Sequence, residues 1–203
     1  MDQKNNEITG VVLIGGRSQR FGRDKVIEPF QESTLVGHVT KSISPLFKKI
    51  ILVGHKREAL GDIQVVEDIM PGLGPLGGIY SALCAIKTRY CFVFAADMPR
   101  LNPAFIKYMI TRAKNAEIII PGWSRGREPL HAIYSQELIP KIRTLLKKNS
   151  LQIFSLLKES DTLFIGENTI RRFGDPERIF ANINTLHDIS GLTGNTIAAS
   201  HKD

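Results

Sequence analysis

Cysteine is scarce. Cys84 and Cys91 are the only two in 203 residues, they lie in separate apolar segments, and neither has a Cys-x-x-Cys partner or a histidine beside it. A disulfide framework or a thiolate zinc site needs more than this, so the pair is read as two buried thiols. No apolar run approaches the ~20 residues that cross a bilayer, and the opening MDQKNNE lacks the basic and apolar regions of a secretory signal. The expectation is a cytoplasmic protein with no membrane partner. Two common nucleotide signatures are missing as well: G-x-x-x-x-G-K-[ST] fails because Gly22 is followed by Arg23, and G-x-G-x-x-G does not occur. No recognition helix, zinc finger or aromatic RNA-binding pattern is present, so nucleic acid is not the expected partner.

What the chain does have is apolar content and positive charge. Its 42% hydrophobic residues can build a real core, and its length fits one domain spanning 1–203. A formal net charge of +7 favours an anionic partner, and charge alone leaves nucleic acid, a membrane surface and a polyphosphate open. No internal repeat, low-complexity tract or linker divides the chain.

Short β-rich apolar runs at 10–14, 49–54, 91–95 and 117–120 lack strict alternation, as expected of strands covered on both faces. Helical spacing falls between them: Leu35, Val39 and Ile43 after Ser33; Leu76, Ile79, Leu83 and Ile86 after GPLGG; Phe105, Met109 and Ala113 after the cap Asn102-Pro103. Alternating strands and helices predict an α/β fold with a doubly wound, mainly parallel, Rossmann-like sheet. Beyond Pro121 the order loosens through GWSRGREPLHAIY. Two helices are then predicted at 136–148 and 151–159, the second from the spacing of Leu151, Phe154 and Leu157.

The stretch VVLIGGRSQRFGRDK, residues 11–25, runs from a strand into Gly15-Gly16 and a loop with Arg17, Arg20, Arg23 and Lys25. Without a Cβ, glycine lets backbone amides approach an anion, and the cations add charge. An isolated Gly-Gly pair is equally explained as a tight turn under a solvated face. The wider pattern is more specific. L-I-G-G-x-S-x-R-F-G-x-D-K resembles the signature loop of nucleotidyltransferases, most closely the L-A-G-G-x-S-x-R-M-G-x-D-K form of the MobA-type molybdenum cofactor guanylyltransferases. Sugar and polyol cytidylyltransferases usually begin this loop L-A-A-G. VVED at 65–68, GPLGGI at 74–79, AADMP at 95–99, EPLHAIY at 128–134 and NINT at 182–185 match the same family in order, so the resemblance covers roughly residues 8–190. Ile14, Phe21 and Val53-Gly54 depart from it; the last stands where some relatives place an asparagine that touches the nucleotide.

The resemblance implies a nucleotidyltransferase fold and transfer of GMP from GTP to the terminal phosphate of molybdopterin, with release of pyrophosphate and Mg²⁺ as cofactor. It implies a nucleotide-binding half at about 8–100, with GTP near Leu13, Ile14, Gly15, Gly16, Lys25, Asp68 and Asp97. An acceptor-binding half at about 101–190 would use Glu128, Pro129, Leu130, Asn182 and Asn184, with Arg125 and Arg127 as nearby cations. Asp97 follows the strand CFVFAA, so its carboxylate belongs at the carboxyl edge of the sheet and suits Mg²⁺. For an isolated aspartate before Met98-Pro99 a turn is the preferred reading, and the matched motif is what points to the metal. Asp68 has the same two readings, and Lys25 is either a phosphate ligand or a surface charge. Trp123 and His131 are open between packing and pterin contact. Cofactor-insertion proteins or a molybdoenzyme are the implied protein partners. Two rivals stand: a cytidylyltransferase acting on a pterin cofactor or polyol phosphate, and a nonenzymatic nucleotide or pterin carrier.

Overall fold

The apolar runs become strands because neither face meets water. In the computed structural model, which describes residues 7–15, 24–61, 63–114, 116–185 and 188–189, the first of them is β1 (Ile8–Leu13). The small hairpin β2 (Pro29–Phe30) and β3 (Ser33–Thr34) leads into α1 (Leu35–Ile43), then β4 (Ile50–Val53), β5 (Val65–Val66), α2 (Gly74–Ala85), β6 (Tyr90–Ala95) and α3 (Pro103–Thr111). The second half adds β7 (Ile118–Trp123), β8 (Gly126–Arg127), β9 (His131–Ser135), α4 (Ile139–Lys147), α5 (Ile153–Lys158), β10 (Thr162–Gly166), α6 (Glu167–Ile170) and α7 (Pro176–Ile179).

The main sheet runs β10-β7-β9-β6-β1-β4-β5, with β8 on β7. β1 pairs in parallel with β4 and β6, β4 with β5, and β7 with β10, while β9 lies antiparallel between β6 and β7. Along β6, Tyr90, Phe92 and Phe94 face the layer of α1 and α3, and Cys91 and Val93 face α2, α4 and α5. Both faces are buried, which is why the run shows no polar alternation. Each large apolar side chain taken from water in this way stabilises the fold by roughly 1.5–3 kcal/mol.

Local chemistry sets the helix ends. Thr34 Oγ1 accepts the Gly37 amide at 3.2 Å and Asn102 Oδ1 accepts that of Phe105 at 3.0 Å, each a cap contributing about 1 kcal/mol. The predicted Asn102-Pro103 start is therefore present, while α1 is capped by Thr34, one residue after Ser33.

Three sequence expectations need correction. Cys84 is exposed on α2, and only Cys91 is a buried thiol. On α5 the buried residue is Leu156 and Phe154 is 57% exposed, because the helix starts at Ile153 and presents a different face to α4. The segment His131–Ser135, read as part of a loosened region, is a fully buried strand at the middle of the sheet. Its place depends on antiparallel pairing with strands remote in sequence, which local periodicity does not reveal.

Candidate functional site

The chain runs outward from β1 to β4 and β5, then returns to place β6 on the other side of β1. A crevice opens where strand order reverses in this way, outside the carboxyl ends of the strands. Leu13 and Ala95 are register partners at that edge, and the Ala96 amide donates to the Leu13 carbonyl at 3.3 Å. Asp97 is thereby set on the rim of the crevice. Met98 turns back into the core at 3% exposure and its amide donates to the Ala95 carbonyl at 3.4 Å, leaving the Asp97 side chain 31% exposed.

Lys25 reaches the same point from the other strand. It opens a 3-10 turn, Lys25–Ile27, whose cap Asp24 accepts the Val26 amide at 3.3 Å. Val26 is buried, so the turn is fixed on the core while Lys25 projects along the rim. Its Nζ donates to Asp97 Oδ2 at 2.8 Å, joining residues 72 positions apart. The lysine side chain is only 14% exposed, so this pair is more enclosed than an ordinary surface contact.

The glycines behind these groups serve close approach. Gly54 has φ +142°, and a Cβ on it would stand 2.8 Å from the Gly15 amide nitrogen, so the end of β4 can lie against the Ile14–Gly15 backbone only without a side chain. The departure at Val53-Gly54 thus has a structural role here. Gly78 of α2 lies against Leu13, where a Cβ would come within 3.3 Å of its side chain. Ile14 is wholly buried and its amide donates to the Val53 carbonyl at 2.8 Å, whereas a Cβ at Gly15 would meet nothing within 4 Å among the described residues. Gly15 is therefore the open backbone position of this group. Gly16, Arg17, Arg20 and Arg23 lie outside the described residues.

Asp68 follows β5 at the same edge. Its Oδ1 accepts the Ser81 hydroxyl at 2.7 Å and the Met70 amide at 3.0 Å, so α2 orients it. From β6 to β5 is three strand spacings, about 14 Å, so Asp68 and Asp97 stand apart along the carboxyl edge of the sheet rather than in one cluster. Among the described residues no three His, Cys, Asp or Glu gather as a metal cage.

On the other flank, the Leu130 carbonyl accepts the Ala95 amide at 3.0 Å, which brings the Glu128-Pro129-Leu130 turn against the strand end that carries Asp97. Glu128 accepts Trp123 Nε1 at 2.7 Å; burial pushes its carboxyl above the usual range and the indole bond opposes that. Asn182 and Asn184 are exposed on either side of Ile183, which is buried with Phe30 and Leu35 and donates its amide to the Asp97 carbonyl at 2.9 Å. The alternation turns both asparagines outward beside Asp97. Arg125 is paired with Glu177 at 2.7 Å, and Arg127 lies 4.2 Å from the Phe164 ring centroid.

His131 is a core residue. It is fully buried among Phe92, Phe94, Phe105 and Phe180, and desolvation pushes its pKa down to about 3. Sequence reasoning missed Ser81 behind Asp68, the Ile183 amide on Asp97, and an ion pair between Asp24 and Arg57. Each joins segments far apart in the chain. The only local signals were the Asp24-Lys25 dipeptide and the NINT motif themselves.

Comparison with known proteins agrees with this fold. A sequence model described as the MobA-like NTP transferase domain matches residues 10–163. A protein of Pelotomaculum thermopropionicum named "Probable molybdenum cofactor guanylyltransferase" is 31% identical over 186 residues, covering 90% of each chain. The molybdenum cofactor guanylyltransferase of Syntrophotalea carbinolica is 33% identical, over 89% of this chain and 88% of its own. The crystal structure of molybdopterin-guanine dinucleotide biosynthesis protein A from Archaeoglobus fulgidus superposes with a TM-score of 0.79 at 22% identity, over 93% of this chain and 98% of that one. With the motif residues converging at a strand-order reversal and the match spanning most of the sequence, the chain belongs to the MobA-like NTP transferase family and is a nucleotidyltransferase of the molybdenum cofactor guanylyltransferase type.

Proposed function

We propose that the enzyme transfers GMP from GTP to the terminal phosphate of molybdopterin, forming a guanine dinucleotide cofactor and releasing pyrophosphate. The observation that carries this reading is the 2.8 Å contact between Lys25 and Asp97 at the mouth of the crevice, where two motif segments deliver one cation and one carboxylate. The names of the relatives supply the guanine and the pterin.

Asp97 suits Mg²⁺. Its carboxylate already holds one cation, the Lys25 ammonium, and this ion needs only one or two carboxylates once phosphates and waters complete its shell. Bound there, Mg²⁺ would supply positive charge to the phosphate oxygens. Lys25, released from Asp97 to the triphosphate, would offset charge on the oxygens of the α-phosphate and the leaving pyrophosphate. An oxygen of the acceptor phosphate forms a bond to the α-phosphorus as the bond to the bridging oxygen breaks, and the electron pair leaves with pyrophosphate. The acceptor is already an anion, so no general base is required. Gly15 and the backbone around Leu13 and Ile14 would meet guanine and ribose, with Asp68 at the far end. Glu128, Pro129, Leu130, Asn182 and Asn184 would line the pterin side, dividing the chain near residue 100 into a nucleotide half and an acceptor half.

The test is pyrophosphate release with GTP, molybdopterin and Mg²⁺. Release that requires all three supports the assignment. Release with CTP but not GTP would favour the cytidylyl rival, and no release with any NTP would leave a carrier. Among the described residues no helix is long and apolar enough to cross a membrane.

A further inference from the structure

Lys25 is held from a distant part of the chain. Asp24, immediately before it, accepts Arg57 Nε on Oδ2 and the Val26 amide on Oδ1, so both carboxylate oxygens are engaged. Arg57 caps the 3-10 turn Glu58–Leu60 in the connection after β4, and its guanidinium also donates from Nη1 to the His55 carbonyl at 2.9 Å. The Arg57 side chain is 16% exposed and that of Asp24 36%. One guanidinium therefore joins the loop after β4 to the residue that precedes the active-site lysine.

We propose that Arg57 is a positioning residue for Lys25, acting through Asp24. A lysine carries its charge on a four-carbon stem with many rotamers, so the place where the ammonium rests depends on where the stem begins. Buried Val26 fixes one side of Lys25, and the Arg57–Asp24 pair fixes the other. Solvent screens the Asp24 end of this pair, which is 36% exposed, so its main effect is placement rather than global stability. Arginine suits the task because its planar fork donates to the Asp24 carboxylate and the His55 carbonyl at once, which a lysine ammonium cannot do with the same geometry.

The consequence for turnover rests on the assignment of Lys25 to the phosphates, whereas the placement itself can be read without nucleotide. Trace acetylation of the ligand-free protein with acetic anhydride, quantified by mass spectrometry at Lys25 relative to exposed Lys158, reports how firmly Lys25 is held. Arg57→Ala and Asp24→Asn should each raise Lys25 labelling about fivefold, the factor by which a contact of this kind biases a side chain between held and free. The double variant should label no faster than the single ones, Arg57→Lys should restore part of the protection, and Tm should not move. Unchanged labelling at Lys25 overturns the proposal. In turnover, Arg57→Ala should lower kcat about fivefold with little change in KM, and should have no effect when Lys25 is already alanine. An equal loss in the Lys25→Ala background would mean that Arg57 acts on the substrate or the fold directly, and would also overturn it. If labelling responds to Arg57 while the wild-type chain turns over no nucleotide, the placement stands and the guanylyl reading falls.

Discussion

The sheet edge at β1 and β6 and the turn at Glu128–Leu130 lie side by side, yet their polar groups are committed differently. At the first, among the described residues, the Lys25–Asp97 ion pair borders the Gly15 backbone, so a ligand there exchanges that contact. At the second, Glu128 is held by Trp123, Arg125 by Glu177, Arg127 by the face of Phe164, and the Tyr134 hydroxyl donates to the Pro129 carbonyl at 2.8 Å. Parallel strands ending at a topological reversal create the first site almost by topology alone. The second is assembled from side chains around an inserted antiparallel strand, and a ligand there must displace partners already in place.

Removing the carboxylate breaks this contrast most severely. Asp97→Ala should lower Mg²⁺-dependent turnover by about 10³-fold or more while Tm barely changes, since the side chain is partly exposed and outside the core. Pyrophosphate release and a thermal melt together check it; near wild-type turnover would remove Asp97 from the chemistry. Lys25→Ala should cost on the order of 10²- to 10³-fold in kcat, or ~3–4 kcal/mol, and Lys25→Arg should recover only part of that because the guanidinium is bulkier and planar. A rise in KM alone would mean that the lysine binds the ground state.

The convergence of Gly15, Lys25 and Asp97 at one sheet edge was legible in the sequence because its parts are local. A strand ending in glycines, a loop ending in Asp24-Lys25 and a strand ending at Asp97 are each readable within a few residues, and parallel pairing brings their ends together. The surroundings of the Glu128–Leu130 turn were less legible. EPLHAIY reads as one site motif, yet its first three residues form the turn and His131 begins a buried strand whose position is set by pairing with β6 and β7. The glycines at 77 and 78 show a similar division. Their pattern marked a motif, but only the packing shows that a Cβ on Gly77 would stand 2.9 Å from the Met70 carbonyl oxygen and one on Gly78 would meet Leu13. Ser81 and Arg57 act across 13 and 33 residues, and neither separation has a local signature.

The two halves of EPLHAIY can be separated by experiment. His131 has its folded pKa lowered by burial from 6.5 to about 3, so the stability tied to its neutral form is full above pH 6.5 and is lost as pH falls toward 3. The slope is about 1.4 kcal/mol per pH unit across that window. Replacing it with leucine should flatten the acid limb of a urea-denaturation profile without changing nucleotide affinity. A profile as steep as wild type would place the acid sensitivity elsewhere.

A smaller effect than at Asp97 or Lys25 is expected at Glu128. Glu128→Gln should raise KM for the pterin about tenfold and leave KM for GTP unchanged, as loss of one charged hydrogen-bonding group predicts. Because burial raises this carboxyl above its unfolded value, its contribution to stability is present below about pH 4.5 and is lost as pH rises through the folded pKa. The glutamine variant should therefore melt higher than the wild type at neutral pH. Equal changes in KM for both substrates would erase the distinction between the two sites.

The most direct test of the central claim is a single-turnover reaction with equimolar GTP, CTP, ATP and UTP, molybdopterin and Mg²⁺, followed by mass spectrometry of the pterin product. The account predicts a guanine dinucleotide in clear excess, since each well-made polar contact to the base discriminates by roughly 1–3 kcal/mol. A cytosine dinucleotide, or equal incorporation of several bases, would contradict it.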